Sequence, residues 1–175
     1  MAILHSGSTI RPTKAELLET ELGGPVEVLG SYRLDDPAGE VGVEAFVVRR
    51  GAQLEHVVLT YRGAPLDVDG TRLVSTMEHS ALGRRWVYDG TTDPVAIDCY
   101  RRALRGEQRE AVLELWADGR LVGTREPTVR LSTRTGAPAH GTTVRILRDL
   151  GDPGSAPALV AHWTGGEAVV ADLGD

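Results

Sequence analysis

A chain of 175 residues, 41% hydrophobic and 25% charged, has the size and balance of one globular domain or of two small lobes on a shared core. Its formal net charge of −6 argues against nucleic-acid binding through a broad basic face, and its single cysteine, Cys99, excludes an internal disulfide. No apolar run is long enough to span a bilayer, and the N-terminus lacks the basic-then-apolar layout of a signal peptide, so a cytoplasmic protein without membrane contact is expected.

The 21 Gly and nine Pro fall between apolar runs, a placement that favours short strands and tight turns. Ala2 to Ile10 reads as a first strand. Thr13-Lys14-Ala15-Glu16 has the spacing of a capping box, and the helix it opens carries Leu17, Leu18 and Leu22 and stops at Gly23-Gly24. Val26 to Leu34 is a strand, followed by a turn at Asp35 to Gly39. Val41 to Arg50 alternates, with Val43, Ala45 and Val47 on one face and Glu44, Phe46 and Val48 on the other. Beyond Gly51-Ala52, Leu54 to Arg62 runs back with Val57, Leu59 and Tyr61 on one face. Leu73 to His79 and Arg84 to Asp89 flank a turn at Gly83, and Asp93-Pro94 starts a second helix that ends near Gly106.

Past Gly106 the pattern is purely β. Glu110 to Ala117 and Arg120 to Val129 are joined by Asp118-Gly119, which suits a type I′ hairpin. Thr133 to Gly141 is loop-like, and Val144 to Leu150, Ala158 to Trp163 and Glu167 to Leu173 are three more strands. The fold class is α+β, a mostly antiparallel sheet with two helices. Residues 1–106 form one region and 107–175 a β-rich second region, packed together as part of one compact domain.

Few residues suggest chemistry. Glu78 and His79 are adjacent on a strand, so their side chains point to opposite faces, a poor geometry for joint action on one atom. This also weakens a hydrolase built on Glu78, His79 and Asp89. Asp67-Val68-Asp69-Gly70 lacks the later oxygen ligands of a calcium loop and reads as a turn. No GxxxxGK[ST], GxGxxG, kinase catalytic loop, GxSxG or HExxH occurs, so no kinase, hydrolase or metal site and no cofactor is expected. Cys99, with no His at a telling position, reads as a buried structural thiol. The densest polar and aromatic block comprises Arg62, Glu78, His79, Arg84, Arg85, Trp86, Tyr88 and Asp89. Trp86 and Tyr88 share a strand face and could stack on a sugar ring, with Arg84 and Arg85 placed to grip an anion; core packing and salt bridges explain the same residues.

Four segments carry a family resemblance. They are Arg11 to Leu18, Tyr32 to Gly42, Leu59 to Leu66 (LTYRGAPL), and Thr76 to Gly90 (TMEHSALGRRWVYDG) running on to Asp93-Pro94-Val95. In order and spacing they are similar to maltokinase N-terminal cap-like proteins of actinobacteria, small homologues of the cap domain that precedes the kinase lobes of maltokinase. The resemblance implies a cystatin-like arrangement, a helix wrapped by a curved antiparallel sheet, for the N-terminal part. It also implies a non-catalytic accessory or regulatory protein of α-glucan, maltose or trehalose metabolism, with a protein partner such as a sugar kinase or a glucan or trehalose enzyme. A homo-oligomer is compatible with it. A small sugar or sugar-phosphate binding protein is the alternative. The β-rich tail after Gly106 is too short for kinase lobes, and no kinase catalytic residue carries over.

Overall fold

In the computed structural model, residues 2–5, 7–117, 119–136 and 143–174 are described. Thr13 and Glu16 form a reciprocal cap. The Thr13 hydroxyl accepts from the Glu16 amide at 3.3 Å and the Glu16 carboxylate accepts from the Thr13 amide at 2.6 Å. They open helix α1 (Lys14–Leu22), which ends where Gly23 turns left-handed at φ 72°. Helix α2 (Pro94–Leu104) starts on Asp93 with proline in its first turn. Its buried residues, Ala96, Cys99, Tyr100, Ala103 and Leu104, recur at helical spacing and form one apolar stripe.

Around the helices run β1 (Ala2–His5), β2 (Ile10–Arg11), β3 (Glu27–Asp35), β4 (Gly42–Arg50), β5 (Gln53–Arg62), β6 (Leu73–His79) and β7 (Gly83–Asp89). After α2 come β8 (Leu113–Ala117), β9 (Arg120–Arg125), β10 (Arg130–Arg134), β11 (Thr143–Ile146), β12 (Ala158–Trp163) and β13 (Gly166–Gly174). A curled six-stranded antiparallel sheet has the order β2-β6-β7-β5-β4-β3. A four-stranded antiparallel sheet has the order β10-β12-β13-β11, and a three-stranded sheet the order β1-β8-β9, in which β1 and β8 are parallel. The α+β class with two helices is what the strand and helix signals in the sequence lead to.

The six-stranded sheet is buried on both faces, which is why β4 is buried from Val43 to Val48 without a break. On one face, Leu17 and Leu18 of α1 pack against Phe46, Val48, Val57, Leu59, Met77 and Val87. On the other, Val43, Ala45, Val47 and Val58 share a core with Tyr100 and Ala103 of α2 and with Leu159, Ala161 and Val170 of the four-stranded sheet. Residues before and after position 106 therefore build one core. Truncating a leucine such as Leu18 in so closed a layer costs roughly 2–5 kcal/mol.

Two glycines permit close approach. A Cβ on Gly90 would lie 2.3 Å from Val58 Cγ1, and one on Gly30, at a bulge in β3, 2.7 Å from Val129 Cγ2. The second contact matters because β3 is an edge strand. The Ser31 and Arg33 carbonyls on that edge accept from the Val129 amide (3.2 Å) and the Ala111 amide (2.8 Å), while the Ser31 amide donates to Thr128 Oγ1 (2.8 Å).

Several boundaries differ from the sequence reading. Ala2 to Ile10 is not one strand: β1 and β2 lie in different sheets, separated by a turn in which Gly7 takes φ 80°. The strand expected from Arg120 to Val129 stops at Arg125, because Pro127 has no amide to donate and the Thr128 and Val129 amides are spent on β3. Likewise β8 begins at Leu113 rather than Glu110. Thr133 and Arg134, read as the start of a loop, pair with Leu159 and Ala158 of β12. The remainder of that loop from 137 to 141 and Asp118 of the hairpin lie outside the described residues. Among the described residues no helix is long and apolar enough to cross a membrane.

Candidate functional site

The β6–β7 hairpin carries most of the polar and aromatic block, and strand parity divides it. Thr76 is registered with Trp86, Glu78 with Arg84, Leu73 with Tyr88 and Arg62 with Trp86, so these side chains share the face of the sheet on which α2 packs further along. Arg85 is registered with Met77 and lies on the opposite face, towards α1. Arg84 Nε donates to Glu78 Oε1 at 2.7 Å with both side chains more than half exposed, a pair worth only about 0–1 kcal/mol. Trp86 is half-buried beside them, and Leu73 is 50% exposed. His79 sits at the hairpin turn, where its Nδ1 accepts from the Ala81 and Leu82 amides at 3.2 and 3.3 Å.

The inner end of the same block is committed to holding the fold. Arg62 grips Asp93 through two hydrogen bonds, Nε to Oδ2 at 2.7 Å and Nη2 to Oδ1 at 2.6 Å. Thr60 Oγ1 and the Val95 amide also donate to Asp93, at 2.7 and 2.9 Å, so one fully buried carboxylate ties β5 to the start of α2. Burial pushes the Asp93 carboxyl up, but the bonds from Arg62, Thr60 and the Val95 amide outweigh it and hold it below the usual carboxylate range. Asp89 accepts from Arg72 Nη2 at 2.7 Å and from the Thr91 amide and hydroxyl at 3.0 and 2.8 Å, and these bonds overcome its burial in the same way. Arg72 and Arg148 both reach Glu21, which fastens α1 to the ends of this region. Tyr88 is buried, and its hydroxyl accepts from the Leu66 amide at 2.8 Å. Of the two rings on this strand face, Trp86 alone is open to a ligand or partner.

A second polar centre lies in the core. His56 Nδ1 donates to the Leu147 carbonyl at 3.0 Å, which leaves the one lone pair of Nε2 to accept from the Tyr32 hydroxyl at 2.9 Å, while the Tyr100 hydroxyl, 3.2 Å from the same nitrogen, donates to Tyr32. The two hydroxyls are 2.6 Å apart. Burial lowers the His56 pKa to about 4, against the opposing pull of the Leu147 bond, so the ring is neutral near pH 7. The triad is closed to solvent and pins β3, β5, α2 and the segment after β11 together. Cys99 is likewise buried, and its thiol is pushed up to about 12 by burial and by the charges of Asp36 and Asp98.

Sequence reasoning did not assemble the Tyr32–His56–Tyr100 triad. The available signal was the position of His56 on the same strand parity as Val58, a core residue. It also passed over the cluster around Glu44, whose signal was a carboxylate on the Phe46–Val48 face of an otherwise apolar strand. No group of three His, Cys, Asp or Glu side chains that could hold a metal occurs among the described residues.

Compared with known proteins, residues 19–93 match the family model of the maltokinase N-terminal cap domain. The match runs from within α1 through β3–β7 to Asp93, the N-cap of α2, and so covers most of the six-stranded sheet and the whole β6–β7 hairpin. No curated protein and no solved structure matches the chain.

Proposed function

We propose, from the maltokinase-cap-like region at residues 19–93, that the protein is a non-catalytic accessory module that docks on an enzyme of α-glucan, maltose or trehalose metabolism and modulates it. The observation that carries this reading is the outer face of the β6–β7 hairpin. There Trp86, Arg84 and Glu78 stand together on the matched region with none of them tied into the core by a buried ion pair, and Leu73 is exposed further along the same face. Trp and Arg are the side chains that most often anchor a protein interface, because a half-buried ring offers a large rigid contact and a guanidinium a directed set of donors. The partner enzyme supplies the chemistry, and this chain supplies a rigid face held in place by the Arg62–Asp93 and Asp89–Arg72 bonds beneath it.

Affinity capture from lysate of the source organism, with the bound proteins identified by mass spectrometry, tests the proposal. Native protein should retain an enzyme acting on maltose, trehalose or an α-glucan, and an Arg84→Glu, Trp86→Ala variant should not. Retention of the same enzyme by both forms would remove the hairpin face from the account. Capture of no such enzyme by the native form would remove the accessory role.

A further inference from the structure

The outer face of the four-stranded sheet, turned away from α2, holds a line of polar side chains that the docking face does not use. Leu131, Ala161 and Ala168 pack against the core, so by strand alternation Ser132, His162 and Glu167 point outward. His162 and Glu167 are directly opposite in the register of β12 and β13. Ser132 is the diagonal neighbour of His162 through the Arg130–His162 pair of β10 and β12. Three adjacent strands fix three side chains in a row, and no loop has to close to bring them together.

The contacts give the row a direction. Glu167 Oε2 lies 3.0 Å from His162 Nδ1, which favours the ring hydrogen on Nδ1 and leaves the lone pair of the neutral ring on Nε2. Ser132 Oγ is 2.7 Å from Nε2 and donates to it. A hydroxyl held on an imidazole lone pair, with the other ring nitrogen facing a carboxylate, is the arrangement that activates a serine oxygen as a nucleophile. Arg130, beside His162, is engaged by Glu110 and Glu126 and leaves the ring to Ser132 and Glu167. The Ser132 side chain is exposed and that of His162 is 40% exposed, so an electrophile reaches both. Val160, directly opposite Ser132 and half-buried, is an apolar shelf beside the hydroxyl. On the open edge of β10 the Leu131 amide donates to Glu110 at 3.1 Å, so the Thr133 amide, two residues on, faces the same edge as a backbone donor next to Ser132.

We infer that Ser132 is a covalent modification site that accepts a short acyl group from an activated donor, an acyl phosphate or a thioester, with His162 as its base and Glu167 as the residue that positions the ring. The Ser132 oxygen bonds to the carbonyl carbon of the donor as its proton passes to His162 Nε2. The bond from that carbon to the phosphate oxygen or the thiol sulfur then breaks, and the leaving group takes the proton from His162. The acyl group stays on Ser132 as an ester, its chain against Val160. Because the group remains on the chain, the protein is the target of the transfer and its accessory role is unaffected. The site lies on β10, β12 and β13, outside residues 19–93, and does not depend on the docking proposal.

Incubation of the full chain with acetyl phosphate, and separately with an acetyl thioester, followed by peptide mass mapping, tests the site. Native protein should carry one acetyl group on Ser132, and the faster arm identifies the donor. Ser155, also exposed, should stay unlabelled, and Lys14, the only lysine and bonded to Glu44 at 2.6 Å, should label far more slowly. Among variants first shown to unfold as native protein does, Ser132→Ala should lose the label. His162→Ala should slow labelling at least about tenfold, and added imidazole should restore the rate, which a purely structural role for the ring would not allow. In Glu167→Ala, nitrogen NMR should show the His162 ring hydrogen moved from Nδ1 to Nε2, with slower labelling. The site is overturned if acetylation shows no preference for Ser132, or if His162→Ala labels as fast as native protein. A ring hydrogen that stays on Nδ1 in Glu167→Ala would remove Glu167 from it.

Discussion

The two ends of the β6–β7 hairpin are built from the same residue types and do opposite work. At the inner end, Arg62, Tyr88 and Asp89 are satisfied by Asp93, the Leu66 amide and Arg72, and they fasten β5, β7 and α2 into one frame. At the outer end, Arg84 and Glu78 meet only each other, in solvent, beside the half-buried Trp86. The difference is one of partners. An arginine opposite a buried N-cap carboxylate is scaffold, and an arginine three residues beyond the last buried position of its strand is free to recognise something else.

Removing the inner carboxylate should produce the largest effect. Asp93→Ala strips the N-cap of α2 and leaves Arg62 facing an emptied site, and a loss of about 3–5 kcal/mol is expected in urea unfolding. A loss below about 1 kcal/mol would show that the inner end is no more structural than the outer.

His56 sharpens the same contrast in the deeper core. Its folded pKa of about 4 lies below the ordinary 6.5, so between these values the unfolded chain takes up a proton that the folded chain refuses. Stability from this group is present above about pH 6.5 and falls as pH drops towards 4, by about 3 kcal/mol in all. His56→Gln should flatten that slope in denaturant titrations across the window while lowering stability at pH 7. Asp93, Asp89 and Glu44, whose pKa values are held down, lose their contributions at lower pH, beneath the ordinary carboxylate range.

A smaller effect is expected at Asp89, where Asn keeps the shape and removes the charge that faces Arg72. About 1–3 kcal/mol should be lost, read from the urea midpoint. Arg84→Ala at the outer end should cost less than about 1 kcal/mol by the same measurement.

Local chemistry was legible in the sequence to a useful degree. The Thr13–Glu16 cap, the Asp93-Pro94 helix start and the alternation of β4 and β5 each depend on neighbours in the chain, and each appears where those neighbours place it. What pairs with what over long separations was not legible. The parallel pairing of β1 with β8, the division of the strands into three sheets, and the use of Thr128 and Val129 to close the β3 edge are set by tertiary contacts. The same limit applied to the polar block. The alternation placed Trp86 and Tyr88 on one face, but that Tyr88 is covered by the 63–72 segment while Trp86 is not depends on where a distant loop folds. The cleft lined by Arg33, Glu44 and Arg125 joins strands far apart in the chain and left no local pattern.

The most direct measurement is a calorimetric titration of the enzyme recovered by capture against native protein, Arg84→Ala and Trp86→Ala, each first shown to unfold cooperatively. The account predicts that Trp86→Ala weakens binding by about 2 kcal/mol or more and Arg84→Ala by about 1 kcal/mol, with the fold intact. Equal affinity in all three would contradict it and return the outer hairpin to an ordinary solvated surface.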